Sequence, residues 1–523
     1  MSKMSRTTKG KSPGKLAIVD EPYPSGAFAG LKNELDPLQI SDLTTVSNIK
    51  EADYKSDTSS KTGATNLDRP HHPNFDLMEG LVATKGDDLI TLCGLRSTNR
   101  DIAHAPLISQ DVIVQHTKEL SQYGFLGSHC GSTQGEEYKK IFQNTNVPFS
   151  TFICGVQGSG KSHTTACMLE NALIPSVYLG KNTVPVSALI FSYGDFSGGG
   201  HDFNISEAAY LALADKSFPN HEVRKVTILT SPSNPAIKRH YQSLPGVKII
   251  PFKLKPKSLD VGTLQTLMAV NEKSEVPLYM AKVDSILRNI AMNSKSGVFD
   301  YKRFRDLLKL EKFDRTQSTM LDMRLDLLDS FLDSTGKAPE PKFTEGEMTI
   351  VDLSDPFVTP NTACIIFKLC LERFMQSRAP SKMVVLDEAH KYMLNTPGST
   401  VLTDYLKTLI RLQRHKGVRV VISTQEPTVS TDLIALCSVT VVHRFTSPAW
   451  YAALRKHISA FGSDSDAMHE IENLETGHAL VYCPNAVLGS GHDGILRKAT
   501  GQMLKVQIRK RVTRDGGESI MAV

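Results

Sequence analysis

The chain has 523 residues, 40% hydrophobic and 7% aromatic, with 60 Lys+Arg against 55 Asp+Glu; at roughly 150 residues per domain it has room for about two to four domains and a substantial core. No run of about 18 or more uncharged apolar residues occurs, which excludes a membrane-spanning helix. The formal charge of +5 is accounted for by Lys3, Arg6, Lys9, Lys11 and Lys15, all ahead of the first acid, Asp20. The remainder carries 55 basic and 55 acidic residues, so composition neither demands nor excludes a polyanionic partner.

Residues 1–73 are rich in Ser, Thr, Lys, Gly and Pro and read as a mostly disordered leader. They lack the apolar stretch of a secretory signal, so the protein is expected inside the cell, cytoplasmic or nuclear, and not secreted. Eight cysteines are scattered without a CxxC pair, most beside apolar residues, which predicts reduced core thiols. Residues 74–146 give mixed signals, with a strand near 89–92 and a helix near 112–123, and read as a small N-terminal module of unassigned fold. From 147 the pattern becomes regular. An apolar strand over 149–154 runs into a glycine-rich loop, and a helix follows over 163–172.

Further apolar β-type runs fall at 187–193, 226–229, 247–252, 348–353, 383–386, 418–423, 439–445 and 478–483. Helical patterns lie between many of them, as at 363–375, 402–414 and 449–458. This alternation predicts an α/β fold with a mostly parallel sheet over 147–500. It is interrupted from about 261 to 335, where Val283, Ile286, Leu287 and Ile290, then Met323, Leu327, Leu328 and Phe331, recur at helical spacing and predict a helical insertion. Residues 501–523 form a basic C-terminal tail, and its run from Lys505 to Arg514 is read as solvated charge or a docking element.

Gly155, Val156, Gln157, Gly158, Ser159, Gly160, Lys161 and Ser162 match GxxxxGK[ST] at every fixed position. Glycines let such a loop wrap tightly, with backbone N–H groups pointing at β- and γ-phosphate oxygens at the positive end of the following helix, and His163, where that helix begins, is assigned to nucleotide binding with the loop. Lys161 would neutralise phosphate charge, and the Ser162 hydroxyl would ligate Mg²⁺. A carboxylate on a neighbouring strand must share the metal. The apolar strand 383–386 ends in Asp387 and Glu388, assigned as metal holder and general base; two acids after a strand also suit a solvated helix N-terminus. A third strand, 418–423, exits through Thr424 into Gln425, whose amide could contact the γ-phosphate or the lytic water, although such an exit is also an ordinary turn. The basic run from Arg411 to Lys416 could offer an arginine finger through Arg414 or touch a phosphate backbone, and cations also gather at helix C-termini for electrostatic reasons alone.

From about 147 to 484 the chain resembles the HerA/FtsK superfamily of P-loop ATPases, VirB4-type proteins included. The likeness rests on the loop 155–162, on Met-Thr-Ile-Val-Asp-Leu at 348–353, on Val-Val-Leu-Asp-Glu-Ala-His at 384–390, on Arg-His-Lys-Gly-Val-Arg-Val-Val-Ile-Ser-Thr-Gln-Glu-Pro at 414–427, and on Leu-Glu-Thr-Gly-His-Ala-Leu-Val at 474–481. The resemblance implies a RecA/ASCE-like sheet, ATP and Mg²⁺ as cofactors, and a homo-oligomeric ring, hexameric in this superfamily, acting on double-stranded DNA. It puts Arg414 on the family's characteristic arginine and Gln425 on its sensor glutamine. It also accounts for the separation of 226 positions from Lys161 to Asp387, since HerA-like proteins carry a helical insertion there.

The tetrad Asp387, Glu388, Ala389, His390 invites comparison with DEAH-box helicases, but no second motor domain follows Gln425. Two functional classes remain. One is a ring ATPase that moves DNA or another polymer; the other is an ATP-dependent switch or scaffold acting on a protein partner.

Overall fold

The computed structural model describes residues 99–130, 140–194, 205–256, 259, 264, 278–293, 299–333, 335–426, 429–461, 466–490 and 495–516. They belong to one compact unit. The leader, the expected strand at 89–92 and the segment 195–204 lie outside the described residues. In chain order the strands are β1 (Leu107–Ser109), β2 (Tyr123–His129), β3 (Lys140–Gln143), β4 (Ser150–Cys154), β5 (Gly180–Lys181), β6 (Ser187–Ser192), β7 (Lys225–Thr230), β8 (Val247–Pro251), β9 (Glu347–Asp352), β10 (Lys382–Leu386), β11 (Val418–Thr424), β12 (Val439–Val442), β13 (His478–Tyr482), β14 (Val487–Ser490), β15 (Leu496–Lys498) and β16 (Met503–Ile508).

They make one sheet. Its functional half is wholly parallel, in the order β12-β4-β11-β10-β6-β9-β7-β8. Strands covered on both faces need no polar side, and this is what the sequences show. In β10, Val384 and Leu386 join one hydrophobic core while Met383 and Val385 join the other. In β11, Val420 and Ile422 face the first core and Val421 the second. Each such side chain contributes roughly 1.5–3 kcal/mol by leaving water.

The helices used below are α1 (Gln110–Gln115), α2 (Lys161–Leu173), α3 (Leu278–Asn293), α4 (Tyr301–Leu310), α5 (Arg315–Phe331), α6 (Pro360–Met375) and α7 (Pro397–Arg411). The first core lies between the sheet and α6 and α7, and it takes in Val283, Leu287 and Ile290 of α3, Phe304 of α4 and Leu328 and Phe331 of α5. The described part of the insertion is therefore helical and packed on the sheet; Met323 is exposed. On the other face sits α2, buried almost all round.

The helix expected over 112–123 is shorter. α1 stops at Gln115, and Tyr123 already begins β2. Val112, Ile113 and Leu120 share one small core, so the apolar spacing came from burial on both sides of a turn. β1, β2 and β3 extend the sheet through antiparallel pairing of β2 with β16 and parallel pairing of β1 with β14. Residues 501–516 also depart from solvated charge. Met503–Ile508 is a strand paired with β13 and β2, and Arg509 and Arg511 beyond it are buried. Among the described residues no helix is long and apolar enough to cross a membrane.

Candidate functional site

β11 lies between β4 and β10, and the register aligns their C-terminal ends: Thr424 pairs with Cys154, and Leu386 pairs with Ile422. Gly155, Asp387, Glu388 and Gln425 therefore leave the sheet at one edge. The loop after β4 takes positive φ at Gly155, Gly158 and Gly160 (155°, 72° and 108°). A Cβ at Gly155 would stand 2.6 Å from Ser159 Oγ and 2.7 Å from His443 Cβ, so glycine is required there by space as well as by conformation. Gly160 caps α2 with no side-chain hydrogen bond, which leaves the first helical N–H groups open for an anion. Lys161 lies folded into the loop, Nζ donating to the Val156 carbonyl at 2.9 Å. Burial holds its pKa below the usual lysine range despite the nearby Glu388 and Asp387.

Asp387 Oδ1 is enclosed without a hydrogen-bond partner. Burial first, then the Glu388 and Glu207 carboxylates, push the Asp387 pKa up to about 7. A cavity of about 10 Å³ is lined by Ser162, Thr165, Glu207 and Asp387 with apolar neighbours, the size of about one water. Ser162 and Asp387 both line this cavity, and a hydroxyl together with a carboxylate that has an unpartnered oxygen is a donor set suited to a hard divalent cation such as Mg²⁺. Beside them Glu388 holds a left-handed conformation, φ 46° and ψ 45°, of the sort that costs about 1–3 kcal/mol outside glycine and clusters at functional sites. Gln425 Nε2 donates to Glu388 Oε2 at 2.6 Å. The structure thus joins the predicted base and sensor directly.

His443 is absent from the sequence expectations, though a lone histidine ending the apolar run Val-Thr-Val-Val was a usable signal. It is fully buried beneath the loop, its ring 3.4 Å from where a Cβ on Gly160 would sit. Nδ1 lies 3.1 Å from the His478 carbonyl and Nε2 2.9 Å from Thr164 Oγ1, so the neutral ring donates through Nδ1 and accepts from the threonine. Burial holds its pKa down to about 3. An unfolded chain protonates this histidine below its ordinary value of 6.5, whereas the fold refuses the proton until about pH 3. Its stabilising share is complete above about pH 6.5 and drains away as pH falls toward 3. His443→Gln should therefore lose ground to the parent at pH 7 and lose less at pH 4.5, by urea denaturation; a pH-independent difference would contradict the assignment.

The chain beyond β16 lies along α2. Glu170, wholly buried on that helix, accepts from Arg509 Nη1 at 2.6 Å, from the N–H groups of Val512 and Thr513 at 3.1 and 2.9 Å, and from Thr513 Oγ1 at 2.6 Å. Arg511 Nε is 3.9 Å from Glu170, and Arg511 Nη1 is 3.7 Å from Glu207. His163 Nε2 donates to the Arg509 carbonyl at 2.8 Å, so this side chain serves the C-terminal segment, leaving its main-chain N–H for a phosphate. Arg414 stands elsewhere. It is exposed on the turn Gln413–Lys416 before β11, a seven-residue strand away from Gln425, or about 20 Å at strand rise.

Residues 375–489, which carry Asp387, Glu388, Arg414 and Gln425, match the family described as Helicase HerA-like C-terminal. No curated protein matches the sequence. Among solved structures, VirB4 of Thermoanaerobacter pseudethanolicus is 11% identical, over 70% of this chain and 91% of that one, with a TM-score of 0.43. The genome packaging NTPase B204 from Sulfolobus turreted icosahedral virus 2, in complex with ATP-gammaS, is 10% identical over 68% of this chain and 97% of that one, with a TM-score of 0.29. The family match bears out the HerA-like resemblance read from the sequence, and the parallel sheet bears out the fold class.

Proposed function

We propose that this HerA-like chain hydrolyses ATP at the edge where β4, β10 and β11 end, and that it works as a ring on double-stranded DNA. The observation that carries the hydrolytic reading is the Glu388–Gln425 contact of 2.6 Å beside an open phosphate loop. The loop N–H groups and Lys161 bind the phosphates. Ser162 and Asp387 hold Mg²⁺, which when bound supplies charge neutralisation at the phosphate oxygens. Glu388 takes the proton of the attacking water, and Gln425 orients that water or the γ-phosphate. Burial around the loop strengthens every one of these electrostatic contacts.

The position of Arg414 and the resemblance support the ring. An exposed arginine at the far end of β11 cannot reach its own subunit's nucleotide, but a neighbouring copy can present it to the next site as a finger. The buried, unpaired Cys154, Cys167, Cys364, Cys370 and Cys483 suit a reducing, intracellular location. A second reading, an ATP-dependent switch on a protein partner, is favoured by the neutral charge of the body of the chain.

ATP turnover measured with and without long double-stranded DNA separates the two. The motor reading expects stimulation that weakens as salt rises, because phosphate contacts release counterions. Turnover indifferent to DNA at every salt concentration would leave the ATPase and replace the motor by the switch.

A further inference from the structure

His390 has no part in the assignments above, yet it touches both halves of the base–sensor pair. Its Nδ1 accepts the main-chain N–H of Gln425 at 3.3 Å. A ring nitrogen that accepts carries no hydrogen, so the proton of the neutral imidazole sits on Nε2. That Nε2 lies 3.5 Å from Glu388 Oε2, the same oxygen that receives the Gln425 amide. Both side chains are largely shielded, with 15% of His390 and 20% of Glu388 exposed. The left-handed turn at Glu388 and the short helical turn Ala389–Lys391 bring the imidazole back over the strand end.

We propose that His390 is a positioning residue for Glu388, an imidazole anchored on the backbone of Gln425 that aims the carboxylate when the glutamine amide leaves it. The inference rests on the ATPase reading. With the amide on Oε2, one oxygen of the carboxylate is held by Gln425 and is not directed at a water. A γ-phosphate competing for the amide frees that oxygen. Among the described residues the neighbour then placed to hold that oxygen is the Nε2–H of His390, 3.5 Å away, which closes on Oε2 and keeps the other oxygen directed at the water. The arrangement makes base release conditional on occupancy of the phosphate site, because Gln425 side chain and Gln425 backbone act on the two ends of one device.

Three variants separate aiming from mere anchoring. Asparagine at 390 can place an oxygen near the Nδ1 position and keep the Gln425 N–H satisfied. Glutamine can place an N–H near the Nε2 position and keep the donor toward Glu388. For His390→Ala, kcat should fall about tenfold or more, a part of the roughly hundredfold or greater value of a general base, while nucleotide affinity measured with a fluorescent ATP analogue stays within about twofold, a difference under about 0.5 kcal/mol. His390→Gln should recover more of kcat than His390→Asn. Recovery by Asn and not Gln would show an anchoring role only and overturn the proposal, as would wild-type kcat in all three or parallel loss of affinity and kcat. If the parent protein binds nucleotide and releases no phosphate, the ATPase reading fails, and the proposal falls with it; failure confined to the variants overturns the proposal alone.

Discussion

Arg509→Ala should remove about 3–5 kcal/mol of stability, the usual cost of leaving one partner of a buried ion pair behind. Glu170 has no exposed surface in its side chain, and that of Arg509 is 5% exposed. The guanidinium also donates to the Phe125 carbonyl at 2.7 Å, the Cys167 carbonyl at 3.0 Å, the Lys510 carbonyl at 2.8 Å and Asn171 Oδ1 at 3.0 Å. Truncation removes one donor from each of these acceptors and takes away the nearest cation of the carboxylate, which then keeps the Val512 and Thr513 donors and the more distant Arg511. A loss of that size is a large part of the roughly 5–15 kcal/mol that holds a typical domain. Urea unfolding reads it as a lowered midpoint at an unchanged slope. A change under about 1 kcal/mol for Arg509→Ala would mean that the segment is loosely held.

Glu388→Gln should retain nucleotide and lose turnover. The amide has nearly the shape of the carboxylate, and its carbonyl can still accept from Gln425 Nε2, so the loop, Lys161 and Asp387 keep their surroundings. It cannot take a proton at neutral pH. Removing a general base costs about a hundredfold or more in rate, or about 2.7 kcal/mol of barrier. Nucleotide recovered from the variant should be ATP, where the parent yields ADP.

The parallel half of the molecule was legible because its rules are local. A buried strand, three glycines and a helix are forced together by the phosphate-loop pattern. Apolar strands ending in Asp387, Glu388 and Gln425 converge at one edge as soon as they pair in parallel. What escaped depended on distant partners. Strand β2 is interrupted by Gly124 and Gly127, and β3 has only four residues, too little periodicity to place without knowing that β16 pairs with β2 and that β3 lies between β2 and β1. Leu504, Val506 and Ile508 do alternate as strand residues should, but the basic residues around them give the segment the composition of a charged tail. Glu170 was the better clue. A single carboxylate in the run Ala-Cys-Met-Leu-Glu-Asn-Ala-Leu must find a buried cation or stay out of the core, and Arg509 is that cation. At His163 the helix position marks the main chain for phosphate, while the side chain answers to the C-terminal segment.

The most direct test is phosphate release by the purified chain and by Glu388→Gln, side by side with ATP and Mg²⁺. Steady turnover by the parent, at least about a hundredfold slower in the variant with nucleotide affinity unchanged, is what the geometry of Glu388, Gln425 and the open loop predicts. Equal rates in the two proteins, or a parent that binds ATP and releases no phosphate, would contradict it.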